Sequence, residues 1–224
     1  MQEINKSLDM NEGLKEYDGE IQVKAAHYDF SNYLNLGRWN SYYHQLEEVL
    51  ALNPKSVLIV GIGDNIVQTI LLQQGIEVMT FDFDEKLHPD IVGNVTNIKN
   101  ILQGKKFDVV LCCQVLEHLP YENFENILQQ FQSAANHVIL SLPCGNVVFY
   151  WIEVKLPIVK RIKLRICVSK FWKKIKFEGQ HYWEIGFKGY SKRKIQKSIE
   201  KFFEIKKQFI AKHNHYHLFF VLQS

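Results

Sequence analysis

Side chains able to do chemistry fall in five short stretches of this chain. Gly61 and Gly63 lie in a GIGDN turn directly after the apolar run SVLIV, and Asp82 closes a second run, EVMTF. Glycine in such a turn lets backbone approach a bound molecule closely. A carboxylate ending the next strand can accept hydrogen bonds from both hydroxyls of a ribose. Two further stretches bear acid–base groups: Glu117 and His118 in QVLEH, and His181, Tyr182 and Glu184 in HYWEIG. Imidazole beside carboxylate suits proton transfer near neutral pH. HNHYHLFF spaces His213, His215 and His217 by two, which puts them on one face of a strand. That spacing suits a metal, although a polar hairpin face is the more ordinary reading. Cys112, Cys113, Cys144 and Cys167 lack zinc-finger spacing, and Cys112 and Cys113 read as packing. No P-loop or Ser/His/Asp pattern is present.

A regular alternation of strands and helices must position these groups. SVLIV is a continuous apolar run, as a strand buried on both faces requires, and EVMTF, FDVVLCC and HVILSL read as further strands of the same kind. Between them come helical patterns: Ile66, Val67, Ile70 and Leu71, closed by Gly75, then Tyr121, Phe124, Ile127, Leu128 and Phe131. The alternation predicts an α/β, Rossmann-like doubly wound sheet, mostly parallel, with helices on both faces. A preceding helix begins at Arg38, carries Trp39, Tyr42, Tyr43, Leu46, Val49 and Leu50, and ends before Asn53-Pro54. Ile195, Ile199 and Phe202 mark a last helix. FEIKKQFIA and HYHLFFVL then stand too close for a parallel crossover, so they should form an antiparallel hairpin.

The 224 residues, 46% of them hydrophobic, fit one large core and exclude disorder and low complexity. No apolar run approaches the ~20 residues that span a bilayer. The polar, acidic opening MQEINKSLDMNEGLKEYDGE is neither a signal nor a transit peptide, so a cytoplasmic protein with reduced thiols is expected. The expected organisation is a loosely ordered extension over 1–37 and one domain over 38–224, with a basic insertion at about 145–185. Within that insertion, residues 155–176 hold nine Lys or Arg and no acid. Their apolar residues fit a helix, yet Ile162, Leu164, Ile166 and Val168 also alternate as a strand. Such a block suits an anionic partner: an anionic membrane met peripherally, a phosphorylated acceptor or, less readily, nucleic acid.

VLIVGIGDN resembles the first motif of the class I S-adenosylmethionine-dependent methyltransferases of small-molecule type. PDIVGNVTNI, FDVVLCCQVLEHLPYENF and HVILSLP extend the resemblance over roughly residues 38–224. It implies a seven-stranded sheet with a final antiparallel strand and S-adenosylmethionine as cofactor. The implied reaction is methyl transfer to oxygen or nitrogen of a small-molecule or lipid/glycan-linked acceptor. Gly61 and Gly63 would meet the methionine part, Asp82 the ribose and Asn94 the adenine amino group, with Gln114 at the pocket lip. His118 and His181 are the candidates for catalysis. The chain departs from the family pattern at Ile59, where an acid is common, and at Asn65, where a third glycine is common. Those departures favour an alternative, a non-catalytic scaffold of the same fold. A second alternative, an RNA methyltransferase, draws on the basic block but lacks the Asn/Asp-Pro-Pro-aromatic motif. QVLEH also resembles the EVLEH segment of quinone-ring O-methyltransferases, a metal site in some of them. With Gln114 in the first ligand place, a poor ligand for a hard cation, no metal is expected.

Overall fold

Four largely apolar runs become neighbouring parallel strands, and the central ones bury both their faces. The computed structural model describes residues 25–28, 33–145, 147–154, 162–169 and 171–224, with backbone alone for 25–26, 147–154 and 162–169. In β1 (Ser56–Val60), Val57 and Ile59 enter one apolar layer with Val49, Leu71 and Leu111. Leu58 and Val60 enter the opposite layer with Phe81, Ile98, Phe124 and Phe131. The other strands of the main sheet are β2 (Glu77–Asp82), β3 (Ile91–Val92), β4 (Phe107–Cys113) and β5 (Ala135–Pro143). A hairpin of β6 (Val147–Val154) and β7 (Ile162–Ser169) stands apart. Finally β8 (Glu204–Ile210) and β9 (His217–Gln223) complete the sheet, whose order is β3-β2-β1-β4-β5-β9-β8. The first five strands are parallel, while β9 runs antiparallel to both β5 and β8. This is the doubly wound sheet with a closing hairpin expected from the sequence.

Helices α1 (Leu36–Ala51) and α2 (Ile66–Gln73) cover one face. Helices α3 (Ile98–Leu102), α4 (Phe124–Ala134) and α5 (Lys192–Ile199) cover the other. The first helix starts two residues before Arg38, capped by the Asn35 side chain, which accepts from the Arg38 N–H at 3.0 Å. Its buried face also differs from the apolar stripe in the sequence. Trp39, Tyr43 and Leu50 are exposed, whereas Ser41, Gln45 and Glu48 are buried. Partners explain the exchange. Ser41 Oγ lies 2.8 Å from His217 Nδ1, and Glu48 pairs with Lys207, so polar groups are satisfied where an apolar stripe was expected.

Two ambiguous segments resolve differently. Ile162–Ser169 is a strand, paired with Val147–Val154. Residues 155–161 and 170 lie outside the described residues, so of the nine cations of the expected anionic-partner surface only Lys173, Lys174 and Lys176 have described side chains, all exposed. Among the described residues no helix is long and apolar enough to cross a membrane. The three tail histidines do not share a strand face. Turns closed by Asn214 N–H to Ala211 O and His217 N–H to Asn214 O hold His213 and His215 before β9 begins. Those two are exposed, and His217 is buried.

Candidate active site

At the end of β1 the chain reverses into α2 through left-handed backbone: φ is +83° at Gly61, +59° at Gly63 and +64° at Asn65. A Cβ on Gly61 would lie 2.3 Å from Val115 Cγ2, so a side chain is excluded there by contact as well as by conformation. Asn tolerates this backbone better than most residues, which accounts for Asn65 in place of a third glycine. Asp82 spans the turn: Oδ2 accepts from Ile62 N–H and Oδ1 from Asp84 N–H, each at 3.0 Å. Burial holds its carboxyl above the usual range. A pocket opens where the strand order reverses, between the carboxyl ends of β1 and β4, the place where open α/β sheets take ligands. Gly61, Gly63, Asp82, Asn94, Gln114 and His118 all line it.

Local bonds qualify two of these. Asn94 Oδ1 accepts from both Thr96 N–H (3.0 Å) and Thr96 Oγ1 (2.9 Å), closing the turn after β3. An adenine amino group would have to share that oxygen. Gln114 sits in left-handed backbone at the end of β4, and its Nε2 donates to Ser141 Oγ at 3.2 Å.

Beyond His118 the pocket meets a cluster of acid–base groups. His118 closes a short 3-10 turn, and its ring centroid lies 4.8 Å from that of His181, edge to face. The two segments are pinned together: Tyr182 N–H donates to Glu117 O at 2.9 Å, and the buried Trp183 indole donates to Leu119 O at 3.1 Å. Glu117 is wholly buried, with neither carboxylate oxygen hydrogen-bonded, and burial pushes its carboxyl up to about 7. Burial, aided by His181, pushes His118 down to about 4. His181 moves the other way. Burial opposes its charge, but the Glu184 hydrogen bond and the Glu117 and Glu184 carboxylates hold it above its ordinary value. Its Nδ1 lies 2.8 Å from Glu184 Oε1, which also accepts from the Tyr216 hydroxyl at 2.8 Å.

No protein-family model matches the chain, and no curated protein does. Solved structures match along most of its length. A magnesium protoporphyrin IX methyltransferase from Synechocystis, solved with bound S-adenosylhomocysteine, is 17% identical with a TM-score of 0.57, covering 92% of this chain and 90% of its own. An S-adenosylmethionine-dependent methyltransferase from Clostridium acetobutylicum is 10% identical, with a TM-score of 0.55 and coverage of 88% and 95%. The N-methyltransferase NodS from Bradyrhizobium japonicum, also in complex with S-adenosylhomocysteine, is 8% identical, with a TM-score of 0.57 and coverage of 85% and 88%. The chain has the class I methyltransferase fold. At these identities the likeness is one of fold.

On this methyltransferase fold the pocket has walls that sequence patterns did not announce. Tyr28, Tyr33 and Arg38 line it, with the Arg38 guanidinium 4.1 Å above the Tyr33 ring. They precede any periodic segment or sit at its first turn. Asp84 also lines the pocket, buried, with Oδ2 lacking a hydrogen-bond partner. The spacing Asp82-x-Asp84 in FDFDE was the available signal. His181 lies outside the lining and reaches the pocket only through its contact with His118.

Proposed function

We propose that this chain binds S-adenosylmethionine at the carboxyl ends of β1 and β2 and methylates a small-molecule acceptor held on the His118 side. The continuity of one pocket from Gly61 and Asp82 to His118 carries this reading. The residues present fit the cofactor. The bare Gly61 surface permits backbone contact, and the unpartnered Asp84 oxygen offers an acceptor beside that of Asp82. When bound, the cofactor supplies a methyl group already activated by a sulfonium. The chain's own task is therefore mainly alignment. Gly61 and Gly63 admit the ligand against the backbone, Asp82 faces the ribose hydroxyls, and Val115, Leu119 and Val95 exclude water from the apolar wall. On this reading His118, which lines the pocket and is backed by Glu117 and His181, takes the proton of an acceptor that must lose one at or before transfer. The solved relatives named as methyltransferases with bound S-adenosylhomocysteine support the cofactor, and the N-methyltransferases among them support nitrogen as well as oxygen.

Calorimetric titration of the folded chain with S-adenosylhomocysteine tests the reading. Saturable binding of one equivalent is expected. No binding by folded protein would overturn the enzyme reading and leave a scaffold with this fold.

A further inference from the structure

We infer that residues 171–177 and the cations beside them form a docking surface for an anionic lipid bilayer. Three rings of this segment face outward: Phe171 is 69% exposed, Trp172 64% and Phe177 48%. Protein surfaces rarely leave so much aromatic area uncovered in one short stretch without a partner for it. Lys173, Lys174 and Lys176 stand between the rings, exposed, and no acid interrupts them. Aromatic rings flanked by lysines settle at the headgroup level of a membrane, rings inward and ammonium groups among the phosphates. The segment is also fastened to the body of the domain. Lys188 N–H donates to Lys173 O at 2.8 Å, and the Phe177 ring stacks on Tyr182 at 4.1 Å. Much of the cost of ordering it is therefore met before any partner arrives.

Neighbouring cations extend the surface. Lys188 leads to Gly189, whose carbonyl accepts from Lys194 Nζ at 3.0 Å, and so to α5, where Arg193 and Lys197 are exposed. Among the described residues no ion pair holds Lys173, Lys174, Lys176, Lys188, Arg193 or Lys197. Their charge is left to meet an anionic surface. The rings choose between polyanions. A single-stranded nucleic acid needs open ring faces set along a groove. Here Tyr182 covers one face of Phe177, while Phe171 and Trp172 are consecutive residues packed edge to face at 5.3 Å. A bilayer needs only that the rings reach its interface. The surface borders the acceptor side of the pocket, since the carbonyl oxygen of nearby Gln180 lies 3.0 Å from Nδ1 of the pocket-lining His118. Entry of an acceptor dissolved in the bilayer would follow, a consequence that rests on the proposed function; the docking itself does not.

Co-sedimentation of the whole chain with lipid vesicles tests the surface. Vesicles of phosphatidylglycerol and phosphatidylcholine in equal parts should carry the protein down at about 0.1 M salt, and phosphatidylcholine alone should not. Lys173→Gln combined with Lys174→Gln should weaken partition about 25-fold, at about fivefold for each charge. Trp172→Ala should weaken it about tenfold, whereas Lys206→Gln, on β8, should change nothing. Each of these side chains is exposed, so the variants should fold as the wild type does. Tryptophan emission should shift to the blue on the anionic vesicles, and Trp172→Phe should lose that shift while still binding. The inference is overturned if the anionic vesicles leave the folded chain in solution, or if the lysine and Trp172→Ala variants bind as tightly as wild type. A gel-shift assay with single-stranded RNA runs beside it. RNA binding that Trp172→Ala abolishes, without vesicle binding, would give the surface to nucleic acid. Equal binding to both without the emission shift would show unspecific charge and overturn the inference too. S-adenosylhomocysteine is titrated on the same sample. Its binding without vesicle binding sinks this inference alone, and vesicle binding without it sinks the proposed function alone.

Discussion

Replacing Gly61 by alanine should be among the most damaging small changes in this chain, for two separable reasons. Its φ of +83° puts an L residue in left-handed backbone, at a cost of about 1–2 kcal/mol. The new methyl would also lie 2.3 Å from Val115 Cγ2. Valine is stiff at χ1 and Val115 packs against the core, so relief requires a backbone shift, worth about 1–3 kcal/mol as overpacking. Together these predict about 2–5 kcal/mol of destabilisation, a large share of the about 5–15 kcal/mol that holds a typical domain. Gly63→Ala is the internal comparison. Its φ is +59°, but the nearest atom to its Cβ is Tyr28 Cε1 at 3.9 Å, so only the conformational part, about 1–2 kcal/mol, should appear. Urea denaturation of Gly61→Ala, Val115→Ala and the double variant isolates the contact. The double variant should be more stable than the sum of the singles predicts, by about 1–3 kcal/mol. Additivity within about 0.5 kcal/mol would refute the claim that close approach, rather than φ alone, demands glycine here.

Asp82→Ala should weaken S-adenosylhomocysteine binding by about 1.5–3 kcal/mol in calorimetry, the range for a hydrogen bond to a charged group. Because the same carboxylate holds Ile62 and Asp84 N–H, its melting temperature should fall as well, and unchanged affinity would remove Asp82 from the ribose. His217 should make the fold sensitive to acid. Burial first, and the Arg38 charge second, push it down to about 3, below the roughly 6.5 of an unfolded histidine. The unfolded chain therefore takes up the proton first. The contribution to stability is complete above about pH 6.5 and declines as pH falls toward 3, by about 1.4 kcal/mol per pH unit. Urea midpoints across that range should fall less steeply for His217→Gln than for wild type. Parallel curves would contradict the assignment.

The sheet was legible because its central strands are buried on both faces, which leaves uninterrupted apolar runs such as VLIV and VVLCC. Gly61, Gly63 and Asp82 were legible for a related reason: each ends a run and enters the same pocket. Periodicity failed where polar groups of a helix are buried against hydrogen-bonding or charged partners. In α1 the Ser41–His217 and Glu48–Lys207 contacts turn inward a face that hydrophobicity alone would have turned outward. It was ambiguous at Ile162–Ser169, where alternation and helical spacing coexist within 8 residues. The meeting of His118 with His181 was beyond any local pattern. It depends on Trp183 burying its ring under Leu119, a contact made across the fold rather than along the chain.

The position of β9 between β5 and β8 has a consequence for how the chain is made. Strands β1, β2, β4 and β5 are synthesised in an order that lets each find a parallel neighbour, but the outer edge of β5 is sealed only by β9. At about 5–20 residues per second, the interval from Pro143 to His217 lasts on the order of 4–15 seconds. During that interval the apolar edge from Val138 to Leu142 is an unpaired template, the kind of surface on which nascent chains associate. The β8 strand cannot relieve it, since β8 reaches the sheet only through β9. Folding of the nascent chain should thus stay incomplete until β9 emerges, with holdase chaperones acting on the exposed edge of β5.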